Sequence, residues 1–265
     1  MAHDSMDWVD GFYSATGTWW GQAESAVTER DHRRLATMER LAGRSGERLR
    51  VLELGSSYGN TAFVAAQAGH DVIGVELSDR IDFTRRFAID EVAGNLQFVK
   101  ADFYDFELEA PVDVVTYWNG FGIGSDADQR RLLRRMIECW LKPDGIVLMD
   151  VSSPARWIQW AGDEEHKTAR PNAGYPFNVS ERTDYDPIGN RFIDTWWRTE
   201  SPDEPVSQDL RCYAPADLLL LLEGTGLRLR HAEVEGIALD LDGVATSGHP
   251  LWRNHEYLVE LEPER

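Results

Sequence analysis

From residue 49 onward the chain alternates apolar runs with amphipathic stretches. "LRVLEL" (49–54) is nearly continuous in apolar residues, and "NTAFVAAQAG" after it repeats them at helical spacing before ending on glycine. "DVIGVEL", "LQFVKAD", "VDVVTYWN" and "GIVLMDV" are runs of the first kind. "DRIDFTRRFAIDEV" and "DADQRRLLRRMIECWL" are of the second, the latter closed by "KPDG". This alternation predicts a parallel sheet buried on both faces by helices. The rhythm breaks after Val151. Residues 152–213 are rich in Trp, Pro, Asn and Asp, and "SERTDYDPIGNRFIDTWWRT" holds two strand-like runs about a "DPIGN" turn. "SQDLRCYA" adds a candidate third antiparallel strand. "APADLLLLLEGTG" then reads as a helix, and "LRLRHAEVEG" and "HEYLVELE" as strands. Residues 1–48 read as helical, Trp-rich at the start and charged later. The expected organisation is a helical lid (1–48), a seven-stranded α/β core (49–151 and 214–265) and an inserted antiparallel cap (152–213).

The first strand runs into "LELGSSYGN", a Gly-rich turn before a helix, which presents backbone N–H groups and the positive helix end to a ligand. A dinucleotide loop counted from Gly55 needs glycine at 57 and 60, where this chain has Ser57 and Asn60; no Gly-Lys-Ser/Thr follows for a phosphate loop. Glu53 inside the strand end, then Gly55, Ser57 and Gly59, resembles motif I of class I S-adenosylmethionine-dependent methyltransferases, (Asp/Glu)-x-Gly-x-Gly-x-Gly, with serine at the middle glycine. The resemblance spans residues 50–151 and 214–262. It implies a Rossmann-like, mostly parallel sheet with an antiparallel last strand, and S-adenosylmethionine as cofactor. It also assigns roles in register. Glu76, with Leu77 beside it, ends the second strand and faces the ribose hydroxyls; Asp102 and Phe103 take the adenine; Asn119 opens toward the cleft. Tyr13 and Trp20 are the candidates for a lid over the cofactor.

Composition narrows the acceptor. The 265 residues include 27 Lys and Arg against 46 Asp and Glu, a formal net charge of −19. Nucleic-acid binders normally carry a basic face. The densest basic run here, "RRLLRR", reads as a solvated helix face. "YWNGF" after the fourth strand also lacks the (Asp/Asn/Ser)-Pro-Pro-(Tyr/Phe) motif of nucleic-acid amino-methyltransferases. The expectation is therefore a small-molecule acceptor, O- or N-methylated, in secondary metabolism, with no nucleic acid and no membrane partner. A homodimer or hetero-oligomer is left open. No apolar run approaches a membrane span and no signal peptide is evident, so a cytoplasmic location is expected. Cys139 and Cys212 read as reduced, buried thiols, too few for a disulfide framework or a zinc site, and no metal is expected. Trp157, Trp160, Trp196 and Trp197 in the cap, with Tyr13, Trp19, Trp20 and Trp118, suit either a lid–core clamp or a dry aromatic pocket. Candidate bases are Asp150, Asp126 and His166, with His249 and His255 behind them. The serine in the loop keeps a second reading open: a methyltransferase-fold enzyme of a natural-product pathway that catalyses a non-methylating cyclisation or elimination, such as aziridine formation, or a non-catalytic partner subunit.

Overall fold

The computed structural model describes residues 6–244, 246 and 248–264. Two helices come first, α1 (Trp8–Glu24) and α2 (Glu29–Ala42). The first five residues of the expected lid lie outside the described residues. At the start of α2 the Asp31 carboxylate accepts from the Thr28 N–H at 2.8 Å and the Thr28 hydroxyl at 2.9 Å, and Gly43 in the left-handed region ends the helix. The core follows as β1 (Arg50–Leu54), α3 (Asn60–Gln67), β2 (Asp71–Glu76), β3 (Asn95–Lys100), β4 (Val112–Phe121), α4 (Asp126–Arg135) and β5 (Leu141–Ser152). Beyond it come α5 (Pro154–Trp160) and the strands β6 (Glu164–Lys167), β7 (Val179–Asp186), β8 (Arg191–Arg198) and β9 (Val206–Arg211). The chain closes with α6 (Pro215–Leu222), β10 (Leu227–Val234), β11 (Ile237–Ala238) and β12 (Glu256–Pro263).

Among the described residues the main sheet has the order β11-β10-β12-β5-β4-β1-β2-β3. Strands β1 to β5 pair in parallel, and β12 runs antiparallel between β5 and β10. All seven expected strands are present, and the two-residue β11 extends the edge. Alternate strand residues serve opposite faces. Leu54, Val115 and Tyr117 pack with Trp140, Leu218 and Tyr257 on one side. Val51, Val72, Val114 and Leu148 pack on the other with Met38 of α2 and Ala62, Ala65 and Ala66 of α3. Each large aliphatic side chain so buried contributes about 1.5–3 kcal/mol relative to exposure.

Three local expectations are corrected. The cap sheet has the order β6-β7-β8-β9, one strand more than expected. The polar β6 sequence "EEHK" gives no apolar alternation, because it is a mostly exposed edge. "DRIDFTRRFAIDEV" is not an α-helix but two 3-10 segments, Asp79–Arg86 and Ile89–Glu91. A 3-10 turn aligns residues three apart, which places Arg80 and Phe83 together against α1. There Gly17 and Gly21 make room: a Cβ at Gly17 would lie 2.8 Å from Arg80 Cγ, and one at Gly21 would run into the Phe83 ring. Finally, Cys139 is exposed on the π-helical turn that follows α4, while Cys212 is buried; both are free thiols.

Candidate active site

The turn after β1 places Gly55, Ser57 and Gly59 in the left-handed region, with φ of 58°, 51° and 75°. Glycine is required twice over at position 59, since a Cβ there would also press into Phe98 and Thr84. Ser57 holds the same conformation with a side chain, at a strain of about 1–2 kcal/mol. Its N–H donates to Glu76 Oε2 at 2.8 Å, and Arg80 donates to its hydroxyl at 3.4 Å. The other oxygen, Glu76 Oε1, accepts from the Ser78 N–H at 2.8 Å and the Ser78 hydroxyl at 2.6 Å. Glu76 thus braces the loop while facing the cavity, with about one of its roughly four acceptor positions still open.

Glu53 is only 5% exposed, and no donor among the described residues bonds to its carboxylate. Burial pushes it up to about 8, against the pull of Arg34 and with added repulsion from Asp31 and Glu76. Asp102, just beyond β3, accepts the Tyr104 N–H at 2.8 Å. Phe103 meets Tyr117 edge-on with ring centres 5.6 Å apart. These elements bound a cavity of about 500 Å³ at the carboxyl edge of the parallel strands, where open α/β sheets bind ligands. Tyr13, Trp20, Glu53, Gly55, Ser57, Glu76, Leu77, Asp102, Phe103 and Asn119 all line it; Gly59 shapes the turn behind.

The candidate bases fall differently. Asp150 does not line the cavity. It stands behind Asn119, paired to Arg34 at 3.0 Å, and burial raises its pKa against the pull of that arginine. With the Asn119 amide nitrogen turned to the carboxylates, it donates to Glu256 at 2.6 Å and Asp150 at 3.2 Å, while its oxygen accepts from Arg30 and Arg34, each at 2.9 Å. Burial and the neighbouring Asp150 push Glu256 up to about 7. Asp126 sits at the start of α4, where it accepts from Tyr213 at 2.7 Å and pairs with Arg211 at 3.1 Å. His166 bonds Ser180 at 2.8 Å across the cap edge. His249 caps a 3-10 turn, and His255 packs on Trp157 and Trp160, where burial lowers its pKa. Asp126 and the three histidines are absent from the cavity wall because local hydrogen bonds and ring contacts hold them elsewhere. Of the two cap tryptophans on β8, Trp196 lines the cavity; Trp197, one residue on, belongs to the opposite face of the strand.

Three arginines of the site carry no direct signal in the sequence pattern. Arg80 donates from Nε to the Tyr13 carbonyl at 2.9 Å and from its terminus to Thr16 at 2.6 Å, and lies over the Tyr13 and Tyr58 rings at 4.9 and 5.1 Å. It ties α1 to the loop; the Gly17/Gly21 spacing in α1 was the available clue. Arg30 and Arg34, one turn apart on α2, both line the cavity on the Asn119 side. Tyr13 itself donates to Gln208 at 3.1 Å, and Gln208 donates to Asp194 at 3.0 Å, joining α1 to the cap.

Residues 51–145 match a family model described as a methyltransferase domain. The matched segment spans β1 to β4 and the start of β5, the parallel part of the main sheet. It is 31% identical over 120 residues to the cypemycin N-terminal methyltransferase of a Streptomyces species, across 44% of this chain and 48% of that protein. It is 35% identical over 105 residues to the tRNA 5-carboxymethoxyuridine methyltransferase of Escherichia coli K12, across 38% of each. The chain therefore spans about half the length of the first of these relatives and less of the second. In fold it is similar to the CcbJ methyltransferase from Streptomyces caelestis, with a TM-score of 0.73 at 20% identity, over 98% of this chain and 100% of that one. No helix among the described residues is long and apolar enough to cross a membrane.

Proposed function

We propose that the protein transfers a methyl group from S-adenosylmethionine to the nitrogen of a small-molecule amine of secondary metabolism. The observation that carries this is the convergence of Glu53, Ser57, Glu76 and Asp102 on one cavity roofed by α1 and the cap. The residues fit the cofactor's parts. Glu53 is a buried acid without a donor, suited to an ammonium group, and Arg30 and Arg34 beside it suit the adjoining carboxylate. Glu76 has an open acceptor position for the ribose, and Asp102, Phe103 and Leu77 offer one polar group and an apolar wall for adenine.

Bound there, the cofactor supplies an electrophilic methyl group on a sulfonium. The chain's part is to align an acceptor on the far side of that methyl and exclude water. A neutral amine attacks with its own lone pair: an N–C bond forms as the C–S bond breaks, and the methylated ammonium later gives a proton to water. An alcohol would need a base, and none of the five candidates read from the sequence lines the cavity. No histidine lines the cavity among the described residues, Asp150 stands behind Asn119, and burial raises the Tyr13 and Tyr117 phenols well above their usual value. The name of the first curated relative, an N-terminal methyltransferase, points the same way. The strongly acidic charge favours a small amine over tRNA.

Calorimetry tests the cofactor assignment. Both S-adenosylmethionine and S-adenosylhomocysteine should bind with micromolar dissociation constants, about −8 kcal/mol. No heat at millimolar cofactor would overturn it. Incubation with amine and alcohol panels, followed by mass spectrometry, then reads whether nitrogen or oxygen gains the methyl.

A further inference from the structure

A second cavity of about 230 Å³ shares two wall residues, Trp20 and Glu24, with the main one. Its outer wall comes from the end of β6 and the cap segment after it, and includes Lys167, Arg170, Tyr175 and Phe177. This segment is built rather than loosely draped. Arg170 and Tyr175 exchange backbone hydrogen bonds at 2.7 and 3.1 Å, and Tyr175 donates from its hydroxyl to Glu24 at 3.1 Å. Gly174 (φ 82°) lies so close to α1 that a Cβ would sit 2.8 Å from the Ala23 nitrogen. The Lys167 ammonium lies 5.1 and 4.9 Å from the Trp20 and Trp196 rings, and those rings are 4.3 Å apart. The Arg170 guanidinium lies 4.8 Å over Tyr175.

The order of groups along this path is informative. The main cavity, where the methyl would be delivered, meets the acid Glu24 and the indole of Trp20; beyond them stand two cations. We propose that this second cavity is the far arm of the acceptor site, and that it takes a carboxylate carried by the acceptor amine. The inference rests on the methyltransferase reading above. Glu24 attracts the amine end at the junction, the indoles cover the linking segment, and Lys167 and Arg170 receive the anion. Lys167 is paired with Glu181 and Glu24 stands opposite, while Arg170 has no carboxylate partner among the described residues. Two cations against two acids leave no excess for a phosphate dianion; once Glu24 takes the amine end, the Arg170 guanidinium suits a carboxylate monoanion. In a protein of net charge −19, a carboxylate-bearing ligand would otherwise be disfavoured, so a local pair of cations is needed to admit it.

The test uses para-aminomethylbenzoate, benzylamine and phenyl phosphate as probes. Each is titrated by tryptophan fluorescence into the wild-type protein and the Lys167→Met/Arg170→Met double variant, with and without saturating S-adenosylhomocysteine. The wild type should bind the amino-carboxylate at least about tenfold tighter than benzylamine and tighter than phenyl phosphate. The double variant should keep its affinity for S-adenosylhomocysteine and lose the carboxylate preference to within about twofold. Equal affinity for the amino-carboxylate and benzylamine in the wild type, tighter binding of phenyl phosphate, or a preference that survives in the double variant would overturn the proposal. If S-adenosylhomocysteine itself fails to bind, the methyltransferase reading fails instead, and the cofactor-free titration still decides what the second cavity binds.

Discussion

Ser57 stands where the class I motif expects glycine, and its φ of 51° shows why glycine is usual there. The side chain is tolerated because the space beside it is the cavity, and its hydroxyl finds Arg80 at 3.4 Å. Ser57→Gly should relieve strain of about 1–2 kcal/mol, partly offset by glycine's greater freedom in the unfolded chain. It should change cofactor affinity by no more than about tenfold, or 1.4 kcal/mol, as calorimetry would read it. If the wild type binds no cofactor and Ser57→Gly restores binding, the loop is closed by its serine, and a non-methylating role becomes the better reading. Glu76→Ala should have a larger effect. It removes the acceptor proposed for the ribose and also the brace on the Ser57 N–H, for a loss on the order of 2–3 kcal/mol in binding with the fold retained by circular dichroism. Unchanged affinity would take Glu76 out of the site. Glu53, Glu76 and Asp102 were legible in the sequence because each stands at or just beyond the end of a parallel strand, so local pattern alone put them on one edge. Arg30, Arg34 and Arg80 were not, since their partners lie on other elements: Arg34 meets Asp150, and Arg80 meets Tyr13 and Thr16.

The elements most legible in the sequence are those that bury both faces, such as β1 and β4, because a continuous apolar run has few other uses. The 3-10 segment Asp79–Arg86 was not legible. Its form answers to α1, which is distant in sequence, rather than to its own propensity. The hidden half of that contact lies in α1, a helix that tolerates Gly17 and Gly21 although each costs about 1 kcal/mol against alanine. Their use is the close approach of Arg80 and Phe83. An exposed helical glycine changed to alanine would stabilise; Gly21→Ala should do the opposite. The added methyl meets the Phe83 ring, and repacking of this kind costs about 1–3 kcal/mol. Because α1 carries Tyr13 and Trp20 to the cavity, cofactor affinity should fall together with the melting temperature. A melting temperature that rises, with affinity intact, would show that α1 is not seated on this segment.

Across the whole molecule, several carboxyl groups are buried without full compensation near the cavity and the cap. Burial pushes Glu53 up to about 8, and Glu256 and Asp194 up to about 7, each aided by a neighbouring acid. The ordinary values are 4.5 for glutamate and 3.8 for aspartate. Between those values and 7–8 the folded protein holds more protons than the unfolded chain, so stability must fall as pH rises through that window. Asp71, Asp113 and Asp128 are shifted downward, and the stability they add is already complete above about pH 4; His255, lowered by burial, adds stability as pH rises through its ordinary 6.5, one group against three. The thermal midpoint of the cofactor-free protein should therefore drop by at least about 4 °C between pH 5.5 and 8.5, on the scale of a few degrees per kcal/mol for a chain of this size. Growing self-repulsion in an acidic protein acts in the same direction, so the decisive comparison is Glu53→Gln, which should flatten part of the slope. An ammonium group placed beside Glu53 would favour its charged form. Cofactor binding near pH 7 should thus release protons, visible as a heat that varies with the buffer's ionisation enthalpy, and Glu53→Gln should reduce that release. A buffer-independent heat in the wild type would mean that Glu53 does not face the cofactor's amino group.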